Sequence, residues 1–191
     1  MPATTSTPNP SVILGIDPGT NLMGYGLLKI VNRKPELLAM GVLDLRKVES
    51  HYEKLDRIFR RVLSLVDEFH PEVLSIESPF FGKSVQSMLK LGRAQGVAMA
   101  AAVYRNLPVH EYAPLKVKMA ITGNGQASKE QVAAMLQRIL KIPDDQMLPQ
   151  MDATDAVGLA YCHFLQMGRP VSEKPFKSWK DFVEKNAGRV R

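Results

Sequence analysis

Apolar positions in the first quarter of the chain follow the pattern of three consecutive β-strands. Apolar runs at 12–17, 24–31 and 37–44 are separated by segments that contain turn residues, including a polar turn at 32–35. Short runs bounded by Gly, Pro and Asn are typical of strands rather than of helices. The pattern therefore predicts a three-stranded meander at the start of the fold.

The spacing of apolar positions changes to a helical interval between residues 50 and 69. Pro71 ends this helix, and the apolar run Val73–Glu77 predicts a fourth strand. The remaining predicted elements are helices at 84–105, 114–121, 128–140 and 152–166 and a fifth strand at Val109–Tyr112. This order predicts an α/β fold with a mixed five-stranded sheet flanked by helices.

The composition is that of one globular domain. The 191 residues include 45% hydrophobic and 23% charged residues, and we expect the domain to span 11–167. A disordered leader is expected at 1–10 and a basic, flexible tail at 168–191. The apolar stretches are too short to cross a bilayer, and no secretory signal is present. A single cysteine, Cys162, excludes an internal disulfide, so a cytoplasmic location is expected.

The formal net charge of the chain is +6. An excess of Lys and Arg favours a polyanionic partner, because phosphate contacts dominate the affinity of proteins for nucleic acids. A generally basic surface with no such partner explains the same charge equally well. Charge alone therefore leaves both interpretations open.

Four acidic residues occupy positions that suit a divalent metal. Asp17 and Glu77 each end an apolar run, and Asp152 and Asp155 are three residues apart in a predicted helix, so they face one side of it. Asp152 could instead cap that helix. Carboxylates brought close together raise one another's pKa unless a cation neutralises them. The acids therefore predict a Mg²⁺ site, and two metals would suit attack on a phosphodiester.

Aromatic and basic residues lie between the acids. Phe80 and Phe81 follow Glu77 closely, and a Gly-Lys turn ending at Lys83 comes next; either phenylalanine could stack on an unpaired base. Lys118 and Lys129 are isolated lysines, of which Lys129 lies at a predicted helix N-terminus that favours anions. Each of these residues has an ordinary alternative as a core or solvated side chain, and the pattern alone leaves both roles open.

Small residues recur every four positions in the predicted helix 84–105, at Gly92, Gly96 and Ala100. Such a stripe lets another backbone approach closely. From the pattern alone, we favour packing of this helix against the chain's own sheet over a contact between subunits.

Five motifs, in order along residues 12–166, resemble one known family, the RuvC crossover-junction endodeoxyribonucleases. The motifs are Ile-Leu-Gly-Ile-Asp-Pro-Gly-Thr with Gly-Tyr-Gly, then Ile-Glu-Ser-Pro-Phe-Phe, then Leu-Lys-Leu-Gly-Arg-Ala-Gln-Gly-Val-Ala, then Glu-Tyr-Ala-Pro-Leu-Lys-Val-Lys, then Asp-Ala-Thr-Asp-Ala. The resemblance implies a ribonuclease-H-like fold. It also implies a Mg²⁺-dependent nuclease, in which Mn²⁺ could substitute, that resolves Holliday junctions by paired symmetric nicks.

The same resemblance implies roles for individual residues and partners. The family's metal-binding catalytic acids match Asp17, Glu77, Asp152 and Asp155. Its base-stacking aromatic matches Phe80, and its DNA-contacting lysines match Lys118 and Lys129. The implied partners are four-way junction DNA, a second copy of the chain bound through helix 84–105, and the branch-migration proteins RuvA and RuvB. The implied homodimer reverses the interpretation of the small-residue stripe given above.

Two alternatives compete with this hypothesis. A related ribonuclease-H-like nuclease could act on structured RNA, and cleavage of a four-way junction compared with structured RNA separates the two activities. The Asp-Pro-Gly-Thr motif also resembles the phosphate loop of actin-like ATPases, but that fold needs a second, repeated half and a longer chain.

Overall fold

The computed structural model of the chain describes residues 11–79 and 84–167. Its strands and helices, in chain order, are β1 Ser11–Asp17, β2 Leu22–Val31, β3 Lys34–Asp44, α1 His51–Phe69, β4 Val73–Glu77, α2 Val85–Tyr104, β5 Val109–Tyr112, α3 Pro114–Thr122, α4 Lys129–Leu140 and α5 Met151–Met167. A short 3₁₀ helix at Asp144–Gln146 was not predicted. Every predicted strand and helix is confirmed, with ends that shift by at most a few residues.

The strands of the described ranges form one mixed sheet in the order β3-β2-β1-β4-β5. Strands β1, β2 and β3 pair antiparallel as a meander, whereas β4 pairs parallel with β1 and with β5. The parallel pairing follows from the chain between these strands, because α1 connects β1–β3 to β4 and α2 connects β4 to β5. The prediction of a mixed five-stranded sheet is confirmed.

Alternating side chains of the central strands divide the core into two clusters. Leu14, Ile16, Leu74 and Ile76 belong to the cluster that includes buried residues of α1 and α2. Ile13 and Val73 belong to the cluster formed with α3, α4 and α5. Both clusters are buried because side chains of a strand point alternately to its two faces. Odd-numbered residues of β1 and β4, which include Asp17 and Glu77, therefore lie on the α5 side of the sheet.

Local capping signals fix several helix ends. The Ser128 hydroxyl accepts a hydrogen bond from the Gln131 amide, and the Gln131 side chain accepts one from the Ser128 amide, so α4 begins at Lys129. Helix α3 starts at Pro114 and ends at Thr122, and Gly123 caps it with a φ of 74°, a conformation that glycine adopts without strain. Within 11–79 and 84–167, none of the helices combines the length and the hydrophobicity that crossing a bilayer requires.

Candidate active site

Two of the predicted acids lie side by side at one edge of the sheet. Ile16 of β1 pairs with Ile76 of the parallel strand β4, so the next residues, Asp17 and Glu77, end neighbouring strands. Parallel strands bring their carboxyl ends to the same edge of a sheet. Both side chains line one pocket, and the charge of Glu77 contributes to raising the pKa of Asp17. The predicted proximity of these two acids is therefore confirmed.

Helix α5 brings a third acid to the same place. Asp155 lines one pocket together with Asp17 and Glu77. Asp152 lies in the first turn of α5, which begins at Met151, and does not line that pocket. Its negative charge nevertheless contributes to raising the pKa of Asp17. Both α5 acids therefore act on Asp17 through their charge, but of the two only Asp155 lines the pocket.

The carboxyl groups of Asp17 and Glu77 both have raised pKa values. Burial raises the pKa of Asp17 well above its usual value, and the charges of Glu77, Asp155 and Asp152 raise it further, while Lys129 opposes them. Burial also raises the pKa of Glu77, with an added contribution from Asp155. Such shifts are expected where like charges lack a neutralising cation.

Lys129 supplies a positive charge to this cluster. It is the first residue of α4, and its ammonium group forms an ion pair with Asp155 across a separation of 26 residues in sequence. Burial lowers the pKa of Lys129, but the hydrogen bond and charge of Asp155, with the charges of Asp17 and Asp152, raise it above its ordinary value. Lys129 is thus a charged member of the site, although 57% of its side chain is exposed.

The pocket has a volume of about 470 Å³ and a mixed lining. The lining includes Lys118 and Lys129 beside the acids, so both predicted lysines lie at the site. The rest of the lining is apolar and was not predicted from the sequence; its residues are Ala113, Pro114, Leu115, Val117, Val132 and Leu159. These residues come from the strand–helix junction before α3 and from α3, α4 and α5, so no local sequence pattern unites them.

The carboxylates of this site suit a divalent cation by their donor chemistry, because hard oxygen ligands are those that Mg²⁺ prefers. Raised pKa values at Asp17 and Glu77 point the same way, since a bound cation would offset both the burial and the like charges that raise them. In the described part of the chain, however, no three His, Cys, Asp or Glu side chains stand in an arrangement that could hold a metal ion. Ligation by three or more of these acids therefore requires side-chain movement.

Gln95 is a residue of the site region that the sequence analysis missed. It is buried in α2, and its side-chain amide donates hydrogen bonds to the carbonyl oxygen of Glu77 (2.8 Å) and to the carboxylate of Glu111 (3.2 Å). These bonds tie the end of β4 to α2 and β5. The available signal was a glutamine between two small residues, Ala94 and Gly96, which is too common to single out.

Two further predictions have different outcomes. Phe80 and Lys83 lie outside the described residues. The small-residue stripe lies on the exposed side of α2, and no described atom stands within 4 Å of a Cβ placed at Gly92 or Gly96. The interpretation that this stripe packs against the chain's own sheet is therefore wrong, because α2 turns Ala94, Gln95 and Ala98 toward the core instead.

Comparison with known proteins places the chain in one family. The family described as "Crossover junction endodeoxyribonuclease RuvC" matches residues 13–163. The protein of that name from Bacteroides fragilis is 64% identical over 94% of this chain and 96% of its own length. Its counterpart from Porphyromonas gingivalis is 59% identical over 97% of this chain and 100% of its own length.

Solved structures lead to the same family. The structure of T. thermophilus RuvC in complex with a Holliday junction substrate has 34% sequence identity and a TM-score of 0.75, covering 83% of this chain and 96% of its own. A yeast mitochondrial Holliday junction resolvase, at 16% identity and a TM-score of 0.61, shares the fold. The chain therefore belongs to the RuvC family of crossover junction endodeoxyribonucleases.

Proposed function

We propose that the chain resolves Holliday junctions by metal-dependent hydrolysis of DNA phosphodiesters at the pocket lined by Asp17, Glu77 and Asp155. The observation that carries this proposal is the convergence of three acids from β1, β4 and α5 around one pocket, in a member of a junction-cutting family. Structured RNA as the substrate gains no support from the relatives, which are named as junction endonucleases.

Asp17, Glu77, Asp152 and Asp155 would hold Mg²⁺, with two ions in each site and Mn²⁺ as a working substitute. Ions held by these residues would supply the chemistry that activates a water and offsets the charge on the leaving 3′ oxygen, so hydrolysis would leave a 5′ phosphate and a ligatable nick. The burial that raises the pKa of Asp17 keeps its carboxyl group away from bulk water, so this residue anchors the ligand set.

The two lysines of the pocket bind the phosphate that is cut. Lys129 pairs with Asp155 in the absence of substrate, and its ammonium group can exchange that carboxylate for a phosphate oxygen. The exchange frees Asp155 to act as a ligand. Lys118 lies on the rim of the same pocket and holds a neighbouring phosphate. Outside the described residues, Phe80 stacks on an unpaired base and Lys83 contacts the backbone.

The exposed side of α2 forms the contact with a second copy of the chain. It presents Val85 (66% exposed) and Leu89 (55% exposed) in line with the open Gly92, Gly96 and Ala100. An apolar side with a small-residue stripe allows two such helices to approach closely. A two-fold dimer would match the two-fold symmetry of a four-way junction and set two sites on opposed strands. RuvA and RuvB are the proposed protein partners.

The proposed function is tested by replacing the anchoring acid. Asp17→Asn removes one negative charge with little change in volume, so we expect junction binding within about threefold of the unsubstituted protein. Cleavage in Mg²⁺ should fall at least about 100-fold, because even the outer partners of metal ligands contribute 10–100-fold. Binding is measured by a gel shift in EDTA, and cleavage by the rate of nicking of a labelled four-way junction.

Asp56→Asn is the matched control, because Asp56 is an exposed acid paired with Arg60 on α1. This control should bind and cut the junction normally, since exposed ion pairs contribute little. Retained cleavage by Asp17→Asn would refute the proposed role of the acids. Equal cleavage of structured RNA by the unsubstituted protein would refute the proposed substrate.

A further inference from the structure

Helix α5, which carries Asp152 and Asp155, rests directly on the backbone of the sheet. Gly15 of β1 pairs with Gly26 of β2 on one side and with Ser75 of β4 on the other. The three residues form one row across the sheet in which the largest side chain is a hydroxymethyl group. We call these three residues, together with Gly24, the seam.

The glycines of the seam have no room for a side chain. A Cβ at Gly15 would overlap the carbonyl oxygen of Ala156 and lie 3.0 Å from the amide nitrogen of Ala160. A Cβ at Gly26 would lie 2.6 Å from Cγ2 of Val157 and 2.8 Å from its Cα. Non-bonded carbon atoms stand about 3.5–4.0 Å apart. The backbone of α5 is therefore as close to the sheet as glycine permits.

Ser75 links α5 to the sheet by a hydrogen bond. Its side chain is fully buried, and its hydroxyl donates a hydrogen bond of 2.7 Å to the carbonyl oxygen of Leu159. That carbonyl belongs to the interior of α5, so the bond joins the helix to the neighbouring strand β4. The glycines allow the close approach, and Ser75 links the two elements across it.

The row of acids is the next row along the same face of the sheet. Asp17 lies two residues beyond Gly15, and Glu77 lies two residues beyond Ser75. Gly24 is the cross-strand partner of Asp17, and a Cβ there would overlap the carbonyl oxygen of Asp152. The depth of α5 on the seam therefore fixes the separation between the acids of the helix and the acids of the strands.

We propose that Gly15, Gly24, Gly26 and Ser75 are positioning residues that set the metal affinity of the site through the depth of α5. The inference rests on the proposed function, because it assumes that acids of α5 and of the strands bind the same ions. A side chain in the seam lifts α5 and moves its two acids away from Asp17 and Glu77. The site then loses ions although each ligand is still present.

Gly26→Ala is the principal test. The added Cβ should displace α5 by roughly 1 Å, given the contact distances above. A misplacement of that size can cost about 100-fold in rate. We expect the dissociation constant for Mn²⁺ to rise at least about tenfold, measured by the paramagnetic resonance signal of free Mn²⁺. Cleavage should fall about 100-fold, while junction binding in EDTA stays within about threefold.

Val157→Ala is the matched control, because it removes volume at the same contact without pushing the helix outward. Both variants should lower the melting temperature, but only Gly26→Ala should weaken Mn²⁺ binding. A role in stability alone would give equal Mn²⁺ affinities in the two variants. Ser75→Thr adds one methyl group to the same row and keeps the hydroxyl, so it tests the inference in a milder form if Gly26→Ala does not fold.

The outcomes separate the two proposals. Normal Mn²⁺ affinity in folded Gly26→Ala or folded Ser75→Thr overturns the inference about the seam. If Asp17→Asn is nevertheless inactive, the proposed function still stands. Retained cleavage by Asp17→Asn overturns the proposed function itself, whatever the seam variants do.

Discussion

Tyr112 of β5, the cross-strand partner of Glu77, forms a buried hydrogen bond with His163 of α5. The hydroxyl of Tyr112 and Nδ1 of His163 are 2.7 Å apart, and both residues are buried. Burial, with a contribution from Cys162, raises the pKa of Tyr112 to about 12, so its hydroxyl stays protonated. Burial and the neighbouring His110 lower the pKa of His163 to about 4. Neutral His163 is therefore the form that the fold selects.

Because His163 is neutral in the folded protein, we expect the free energy of unfolding to fall in mild acid. Below about pH 6.5 the unfolded chain protonates His163, whereas the folded chain does so only near pH 4, so protons favour unfolding across this window. Each pKa unit corresponds to about 1.4 kcal/mol, and the loss should reach roughly 3 kcal/mol at most. Urea unfolding at a series of pH values measures the free energy of unfolding.

His163→Asn should remove this part of the pH dependence, so the difference from the unsubstituted protein isolates His163 from the carboxylates. His70→Asn is the control, since His70 is exposed and its left-handed conformation suits asparagine. A slope between pH 6.5 and 4 that is identical in all three proteins would show that His163 does not titrate as described.

Gln95 gives a second prediction at the scale of one residue. Gln95→Ala leaves the carbonyl of Glu77 without its 2.8 Å donor, and an unsatisfied buried group costs about 1–3 kcal/mol. Because the bond also holds the end of β4, cleavage should fall along with the free energy of unfolding. Both quantities are measured, the second by urea unfolding.

Gln86→Ala makes the same substitution at an exposed position of the same helix. It should change neither the free energy of unfolding nor the cleavage rate by a measurable amount. Loss of stability in Gln95→Ala with full cleavage would show that Gln95 supports the fold without supporting Glu77.

At the scale of elements, local sequence patterns are sufficient to predict the strands and helices. The Ser128–Gln131 capping box places the start of α4, and the apolar runs that close with Asp17 and Glu77 place each acid at the end of a strand. Such features depend on residues close together in the chain, so periodicity and capping rules reach them.

The close approach of α5 to the sheet and the apolar residues that line the pocket could not be predicted from local patterns. Gly15 and Gly26 are ordinary glycines within strands until Ala156 and Val157 are known to lie against them. Likewise, the orientation of α2 depends on which side of an Ala-rich helix meets the sheet. Small residues lie on more than one side of this helix, so the sequence did not show which side is buried. The burial of the polar residue Gln95 was also not expected.

At the scale of the whole molecule, the exposed side of α2 predicts the assembly state. Leu89→Asp places a charge in the proposed contact between copies, so the dimer should dissociate to a monomer, as measured by sedimentation equilibrium. Paired nicking of a junction should then become single nicking, because two sites are no longer held on one substrate.

Leu38→Asp provides the control, since Leu38 is 42% exposed on β3, at the edge of the sheet opposite β5. It should leave the mass in solution unchanged. A monomeric unsubstituted protein at micromolar concentration, or a dimeric Leu89→Asp variant, would contradict assembly through α2.

The mixed lining of the pocket also has a consequence for small molecules. Its acids and lysines share a space of about 470 Å³ with apolar side chains that include Leu115, Val132 and Leu159. Ligand sites of this size are typically apolar with a few polar groups that fix orientation. A compound with a metal-chelating head and a compact hydrocarbon body would match both parts of the lining. The apolar residues thus offer binding energy that a simple chelator, which contacts only the ion, would leave unused.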